Sequence, residues 1–136
     1  MTQLAHPNIV RVLDVGADQG HPYIVMERIP GTTLVPRLPE LPLPYPEVVA
    51  LGVKIAAAID DLHRQNVVHL DVKPSNIMCL IDGHGVVRRD AEVWFIDLTI
   101  AQEYVPNRAD EVKMGTPGYA PPEQYRGRTQ PSSDLY

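Results

Sequence analysis

Apolar residues recur along this chain with two different spacings, and the changes of spacing divide it. Residues 9–16 (Ile-Val-Arg-Val-Leu-Asp-Val-Gly) and 22–27 (Pro-Tyr-Ile-Val-Met-Glu) are rich in β-branched side chains, the composition of strands. Asp18-Gln19-Gly20 supplies turn residues between them, so the two runs predict a β-hairpin. Two strands alone are marginally stable in water. The hairpin therefore needs a surface beside it.

The pattern then lapses. Pro36, Pro39, Pro42, Pro44 and Pro46 fall between Gly31 and Pro46, where they remove backbone donors and favour extended polyproline conformation. The stretch reads as a connector between two patterned segments, with a ligand for a proline-recognition domain as the alternative. Beyond it Val48, Leu51, Ile55, Ile59 and Leu62 recur at three- and four-residue steps, predicting one apolar face of a helix that runs to about Gln65. Pro46 suits its first turn and Glu47 lies near the positive end of its dipole. Lys54, Asp60, Asp61 and Arg64 make the polar face, expected in solvent. Two further apolar runs, residues 77–81 and 92–96, flank a polar segment containing Gly83 and Gly85, and predict a second hairpin with a long tip.

Composition narrows the class. The chain has 136 residues, 44% hydrophobic and 21% charged, which suits one small domain or part of a larger one. Seventeen acidic against twelve basic residues give a net charge of -5. With no Lys/Arg-rich block, this argues against a nucleic-acid partner. No apolar run approaches the roughly 20 residues of a membrane helix, and the N-terminus lacks a basic-then-apolar signal pattern. A cytoplasmic protein without a membrane segment is expected. The single cysteine, Cys79, excludes an internal disulfide, and no Cys/His spacing suggests a zinc site. Cys79 reads as a small hydrophobe in a strand.

Candidate chemistry gathers at the feet of the second hairpin. His69-Leu70-Asp71-Val72-Lys73-Pro74-Ser75-Asn76 precedes it and Asp97-Leu98-Thr99 follows it. Antiparallel pairing brings the residue entering one strand close to the residue leaving the other, so Asn76 and Asp97 are expected as neighbours. An amide oxygen and a carboxylate converging beside a second carboxylate and a lysine suit Mg2+ and a polyphosphate, because magnesium prefers oxygen ligands shared with substrate phosphates. Taken singly, either acid reads as an ordinary surface residue.

These segments resemble the eukaryotic-type protein kinase family essentially end to end. "HPNIV" at 6–10 is similar to the segment before the fourth strand of the small lobe, and "YIVMERIPG" at 23–31 to the fifth strand and hinge. "HLDVKPSN" at 69–76 resembles the catalytic loop, "DLT" at 97–99 the metal-binding triplet, and "GTPGYAPPE" at 115–123 the end of the activation segment. The terminal "SDLY" is similar to the start of the central large-lobe helix. Any one could arise by chance, whereas together and in the family's order they are specific.

The resemblance implies a partial α+β kinase fold, with the end of the small lobe and the hinge at 1–30 and the start of the large lobe, through the activation segment, at 31–136. It implies ATP- and Mg2+-dependent phosphoryl transfer to a protein substrate. Asp71 would accept or orient the proton of the substrate hydroxyl, Lys73 would steady the transferred phosphoryl group, and Asn76 and Asp97 would hold Mg2+ on the nucleotide phosphates. Lysine two residues after the catalytic aspartate, with Thr116 in "GTPGY", implies serine/threonine rather than tyrosine specificity. Adenine would lie against the hinge, with the backbone of Glu27 and Ile29 offering hydrogen bonds, Met26 as gatekeeper and Met78 beneath the ring. Without the family, Met78 reads equally as core filler. Asp134 resembles the buried aspartate that braces the catalytic loop near His69, and Glu123 the glutamate that pairs with an arginine farther along the large lobe, past Tyr136.

Three departures carry expectations. Leu70 stands where the family has arginine, so no guanidinium is there to clasp a phosphate. Between Thr99 and Thr116 the only hydroxyl is Tyr104, and activity is expected not to depend on phosphorylation of that segment. Thr99 replaces the glycine of the metal triplet; its β-branch restricts the backbone, which either locks Asp97 in place or misplaces it. Finally, no G-x-G-x-x-G occurs, and Lys54 and Lys113 sit in the wrong contexts to be the phosphate-binding lysine. A fragment is the expectation, poorly active or inactive alone. The alternatives are a pseudokinase or truncated remnant acting as a binding module, and a small-molecule phosphotransferase, which usually lacks "GTPGYAPPE" and the Lys-Pro after Asp71.

Overall fold

The computed structural model describes residues 5–35, 44–80, 92–108 and 114–136. The expected tip with Gly83 and Gly85, the end of the first run at Ile81, Pro36, Pro39, Pro42 and Lys113 lie outside the described residues.

Strands β1 (Val12–Asp18) and β2 (His21–Met26) pair antiparallel, with Val15 opposite Ile24 and Asp18 opposite His21. Gln19 and Gly20 close the hairpin at φ 48° and 83°, the sign that matches the twist of the flanking strands. The pattern predicts β1 from residue 9, yet it begins at Val12. Ile9 instead bridges in parallel to Phe95; Val10 N–H donates to Phe95 O at 2.8 Å and Phe95 N–H to Asn8 O at 2.9 Å. The reason is burial: Ile9 and Val10 are 4% and 3% exposed there, whereas Leu13 in the ribbon is 54% exposed.

Helix α1 (Tyr45–Arg64) carries Pro46 in its first turn and Glu47 near its N-terminus. Leu51, Ile59 and Leu62 are buried as the spacing predicts, and Ala58 joins them. Val48 is 49% exposed, a correction to the predicted face, because the buried stripe begins only at Leu51. On the other side, Asp60 and Arg64 form an exposed i,i+4 pair at 2.8 Å, a contact worth little in water.

Strands β3 (Thr32–Thr33), β5 (Ile77–Cys79) and β6 (Val93–Phe95) form a sheet in the order β3-β5-β6, antiparallel throughout. Helix α1 packs on it, and Leu62, Ile77, Cys79, Val93 and Phe95 meet in the core. Cys79 is fully buried, as expected of a small apolar residue. After α1, β4 (Val67–Val68) pairs with β7 (Gln102–Glu103). Asn66, at φ 57°, turns the chain from α1 into β4. Short helical turns complete the fold: 3-10 turns at Pro74–Asn76 and Pro131–Leu135, and α2 at Pro122–Tyr125. Among the described residues no helix is long and apolar enough to cross a membrane.

Candidate active site

The site begins with a strained residue. Leu70 follows β4 at φ 65°, a left-handed conformation that costs a branched L-residue roughly 1–2 kcal/mol. Asp134 holds it there: Oδ1 accepts from Leu70 N–H at 2.8 Å and Oδ2 from His69 N–H at 2.9 Å. Charge-assisted hydrogen bonds of this kind contribute about 1.5–3 kcal/mol each, enough to offset the strain. Oδ2 also accepts from His63 Nε2 at 2.8 Å. The Leu70 side chain is 3% exposed, so an apolar group fills the place where a phosphate clasp would need charge. The reversed backbone leads directly into Asp71.

Asp71 is a hub. Lys73 Nζ lies 2.7 Å from its Oδ2, Asn76 Nδ2 donates to the same oxygen at 2.8 Å, and Thr116 Oγ1 donates to Oδ1 at 2.6 Å. Lys73 Nζ donates to Thr116 Oγ1 at 2.7 Å, which closes a triangle of carboxylate, ammonium and hydroxyl. The local fold makes this possible because Lys73 is extended and the 3-10 turn after it swings Asn76 back, so that its Nδ2 also reaches Asp71 O at 3.0 Å. Burial works to raise the Asp71 carboxyl, but hydrogen bonds from Lys73, Thr116 and Asn76 outweigh it and hold the group below its ordinary value. At neutral pH Asp71 is therefore an ionised acceptor.

His69 is fully buried with its ring 4.7 Å from Phe95. Its Nδ1 accepts from Asp71 N–H at 3.3 Å, and its Nε2 has no partner among the described residues. Burial pushes the imidazole below its ordinary value against the pull of Asp134, Asp71 and Asp97, so it is neutral.

Ile96 N–H donates to Asn76 O at 3.1 Å, which makes Asn76 and Asp97 neighbours at the hairpin's feet, as antiparallel pairing predicts. Thr99 N–H donates to Asp97 Oδ1 at 2.8 Å, so the residue in the glycine's position ties one carboxylate oxygen into a local turn. The donor set fits magnesium. With Nδ2 committed to Asp71, Asn76 Oδ1 receives only a long 3.4 Å contact from Ser75 Oγ, and Asp97 Oδ2 has no partner among the described residues. Those residues hold no cluster of three or more His, Cys, Asp or Glu that could hold a metal; Mg2+ is commonly bound by one or two protein carboxylates together with substrate phosphates and water.

Met26, Glu27, Ile29 and Met78, which the resemblance assigns to adenine, make no hydrogen bond to this hub among the described residues. Met26 ends β2 at 40% exposure. Glu27 N–H donates to Arg11 O at 2.9 Å and Gly31 N–H to Ile29 O at 3.0 Å. Among the described residues this leaves the Glu27 carbonyl and the Ile29 N–H without backbone partners. Met78, half-buried in β5, sits between Thr33 and Trp94 in the register.

Glu123 Oε1 accepts from Ser133 Oγ at 2.9 Å, joining α2 to the turn that carries Asp134. Beside Asp71 opens a cavity of about 390 Å3, lined also by Ile100, Met114 and Tyr125. Two polar residues go unnoticed in the sequence pattern. His63 looks like one more polar residue in the last turn of α1, and Gln124, 0% exposed, lies in a helix of four residues, too short to show a periodicity.

A family model described as the protein kinase domain matches residues 1–136. Among curated proteins the chain is 36% identical over 140 residues to a probable serine/threonine-protein kinase of Clostridium perfringens, covering all of this chain and 19% of that protein. It is 36% identical over 138 residues to the serine/threonine-protein kinase PknL of Mycobacterium tuberculosis, covering all of the chain and 33% of PknL. Against the serine/threonine-protein kinase pkn2 of Myxococcus xanthus it is 30% identical over 142 residues, 16% of that protein. The chain thus spans a third or less of the length of these relatives. Matched along its whole length, and α+β with loops in the family's order, the chain belongs to the protein kinase domain family.

Proposed function

We propose that this chain carries the catalytic-loop side of a serine/threonine protein kinase, which transfers the terminal phosphoryl group of ATP to a protein hydroxyl. Residues 1–30 form the end of the small lobe with the hinge, and 31–136 the start of the large lobe through the activation segment. The observation that carries this reading is the triangle at Asp71. A threonine hydroxyl donates to its carboxylate at 2.6 Å while Lys73 approaches both, the reach required of a general base.

Asp71, ionised and fixed by Asn76, takes up the proton of the acceptor hydroxyl. Lys73 lies where charge accumulates on the transferred group. Thr116 borders the cavity in which the acceptor residue sits. Glu27 and Ile29 offer backbone hydrogen bonds to adenine, with Met26 and Met78 about the ring, and His69, Asp134 and Glu123 hold the loop. Asn76 and Asp97 would hold Mg2+, which when bound neutralises charge on the nucleotide phosphates. This reading requires no nucleic acid and no membrane, and the cytoplasm is the compartment that supplies ATP.

The test is to incubate the intact protein with ATP, Mg2+ and a peptide library bearing Ser, Thr or Tyr as sole acceptor. Phosphoserine or phosphothreonine in the library, lost in Asp71→Asn, is the expected result. Nucleotide binding with no transfer to any acceptor would move the assignment to a pseudokinase.

A further inference from the structure

Gln124 is buried completely and makes two hydrogen bonds from a single nitrogen. Its Nε2 donates to Leu70 O at 2.8 Å and to Met114 O at 2.5 Å. The first acceptor lies next to Asp71 in the catalytic loop and the second lies two residues before Thr116. The amide therefore spans the two strips of chain whose side chains meet in the Asp71–Lys73–Thr116 triangle. Its orientation is fixed by chemistry, because the flipped amide would set an oxygen against two carbonyls. Its Oε1 is buried with no partner among the described residues, so the side chain is held for its donors.

The surroundings are shaped to this amide. A Cβ on Gly115 would come within 2.7 Å of Nε2 and would also strike Ala120, so glycine there permits the close approach. Tyr125 OH donates to Gly115 O at 3.4 Å, a second link from α2 to the same strip. No charge takes part. Leu70 offers no cation, and the only hydroxyl between Thr99 and Thr116 is Tyr104.

We propose that Gln124 is a positioning residue, an uncharged tie that holds the Met114–Thr116 strip against the catalytic loop and so sets the place of Thr116 relative to Asp71 without phosphorylation. The proposal uses the proposed function only in naming Asp71 and Thr116 as the residues positioned, and the tie itself is measured without catalysis.

The experiment is amide hydrogen exchange on the intact protein, wild type and Gln124→Met, which keeps length and removes both donors. The expected result is at least tenfold faster exchange at Tyr119 and Ala120, whose N–H groups donate to Thr116 O at 3.0 Å, with α1 protection unchanged and with no effect of phosphatase on the wild type. Equal exchange at Tyr119 and Ala120, or wild-type protection lost on phosphatase treatment, overturns the tie. If Gln124→Met does not fold, Gln124→Glu serves. A carboxylate there faces two carbonyl oxygens and regains one donor when protonated. After correction for intrinsic exchange, protection at Tyr119 and Ala120 should then rise as pH falls in the variant and not in wild type. Parallel pH profiles overturn the proposal. In the transfer assay a positioning role lowers kcat while KM for ATP stays within twofold, and a variant with wild-type kcat overturns it. A wild type that transfers to no acceptor sinks the kinase reading while leaving the exchange result to stand or fall alone.

Discussion

In the β1–β2 ribbon, Leu13, Val15, Tyr23, Ile24 and Val25 are 42–54% exposed, whereas His69, Asn76, Gln124 and Asp134 around the Asp71 loop are 0–6% exposed. The apolar side chains lie in water and the polar ones are inside. A strand pattern is a local instruction, since β-branched residues favour extended backbone wherever they sit, but it does not say what covers the faces. A buried polar group is tolerated where hydrogen bonds replace water. Asp134 accepts three, Gln124 donates two and Asn76 donates two. The ribbon is thus held by its ladder, and the loop cluster by side chains that bind backbone.

The sharpest way to separate the two regions is by chemistry. Asp71→Asn should lower phosphoryl transfer by about 10²–10⁴-fold, the usual contribution of a positioned general base, while circular dichroism stays at wild type. Retained activity would remove Asp71 from the mechanism. In the ribbon, Val15→Thr should leave the rate within twofold.

Stability separates them next. Asp134→Ala strips the carboxylate from two loop N–H groups and from His63, and should cost about 3–5 kcal/mol in urea unfolding. A cost below 1 kcal/mol would mean that Leu70 holds its left-handed backbone unaided. The same truncation made in both regions gives the next effect: Leu62→Ala, at a fully buried site, should cost about 2–5 kcal/mol, and Leu13→Ala, half in water, under about 1 kcal/mol. Equal costs would show that the ribbon is covered in the intact protein.

The smallest effect is acid sensitivity. His69 is held below the ordinary histidine value of 6.5, so below that pH the unfolded chain binds a proton that the folded chain refuses. Stability from the neutral imidazole is therefore complete above about pH 6.5 and declines as pH falls toward the lowered value. The urea midpoint should drop from pH 7.5 to 5.5 more steeply in wild type than in His69→Asn. Parallel slopes would count against burial as the cause.

Much of the molecule was legible before the structure. Turn residues at Gln19-Gly20, the spacing Leu51–Ile59–Leu62, and the runs at 77–81 and 92–96 predicted the first hairpin, α1 and the β5–β6 pair, because each is set by neighbours within a few residues, whereas β3, at Thr32–Thr33 in the stretch read as a connector, joins that pair only through the fold. Asn76 beside Asp97 followed from antiparallel pairing alone. The misreadings have a common cause. Residues 9–10 left the hairpin for β6, and Val48 fell off the buried face, because both depend on how far a distant surface extends.

The sequence by itself determined which chemical groups are available: Asp71, Lys73, Asn76, Asp97 and Thr116 in a fixed order, no arginine before Asp71 and threonine after Leu98. Only the tertiary structure decided that Leu70 turns left-handed under Asp134, that Thr99 ties Asp97, and that Gln124 joins loop to segment. Those contacts span two to sixty-four residues of sequence, and all but the shortest carry no local signal, since a hydrogen bond across the fold depends on where the core places its two ends.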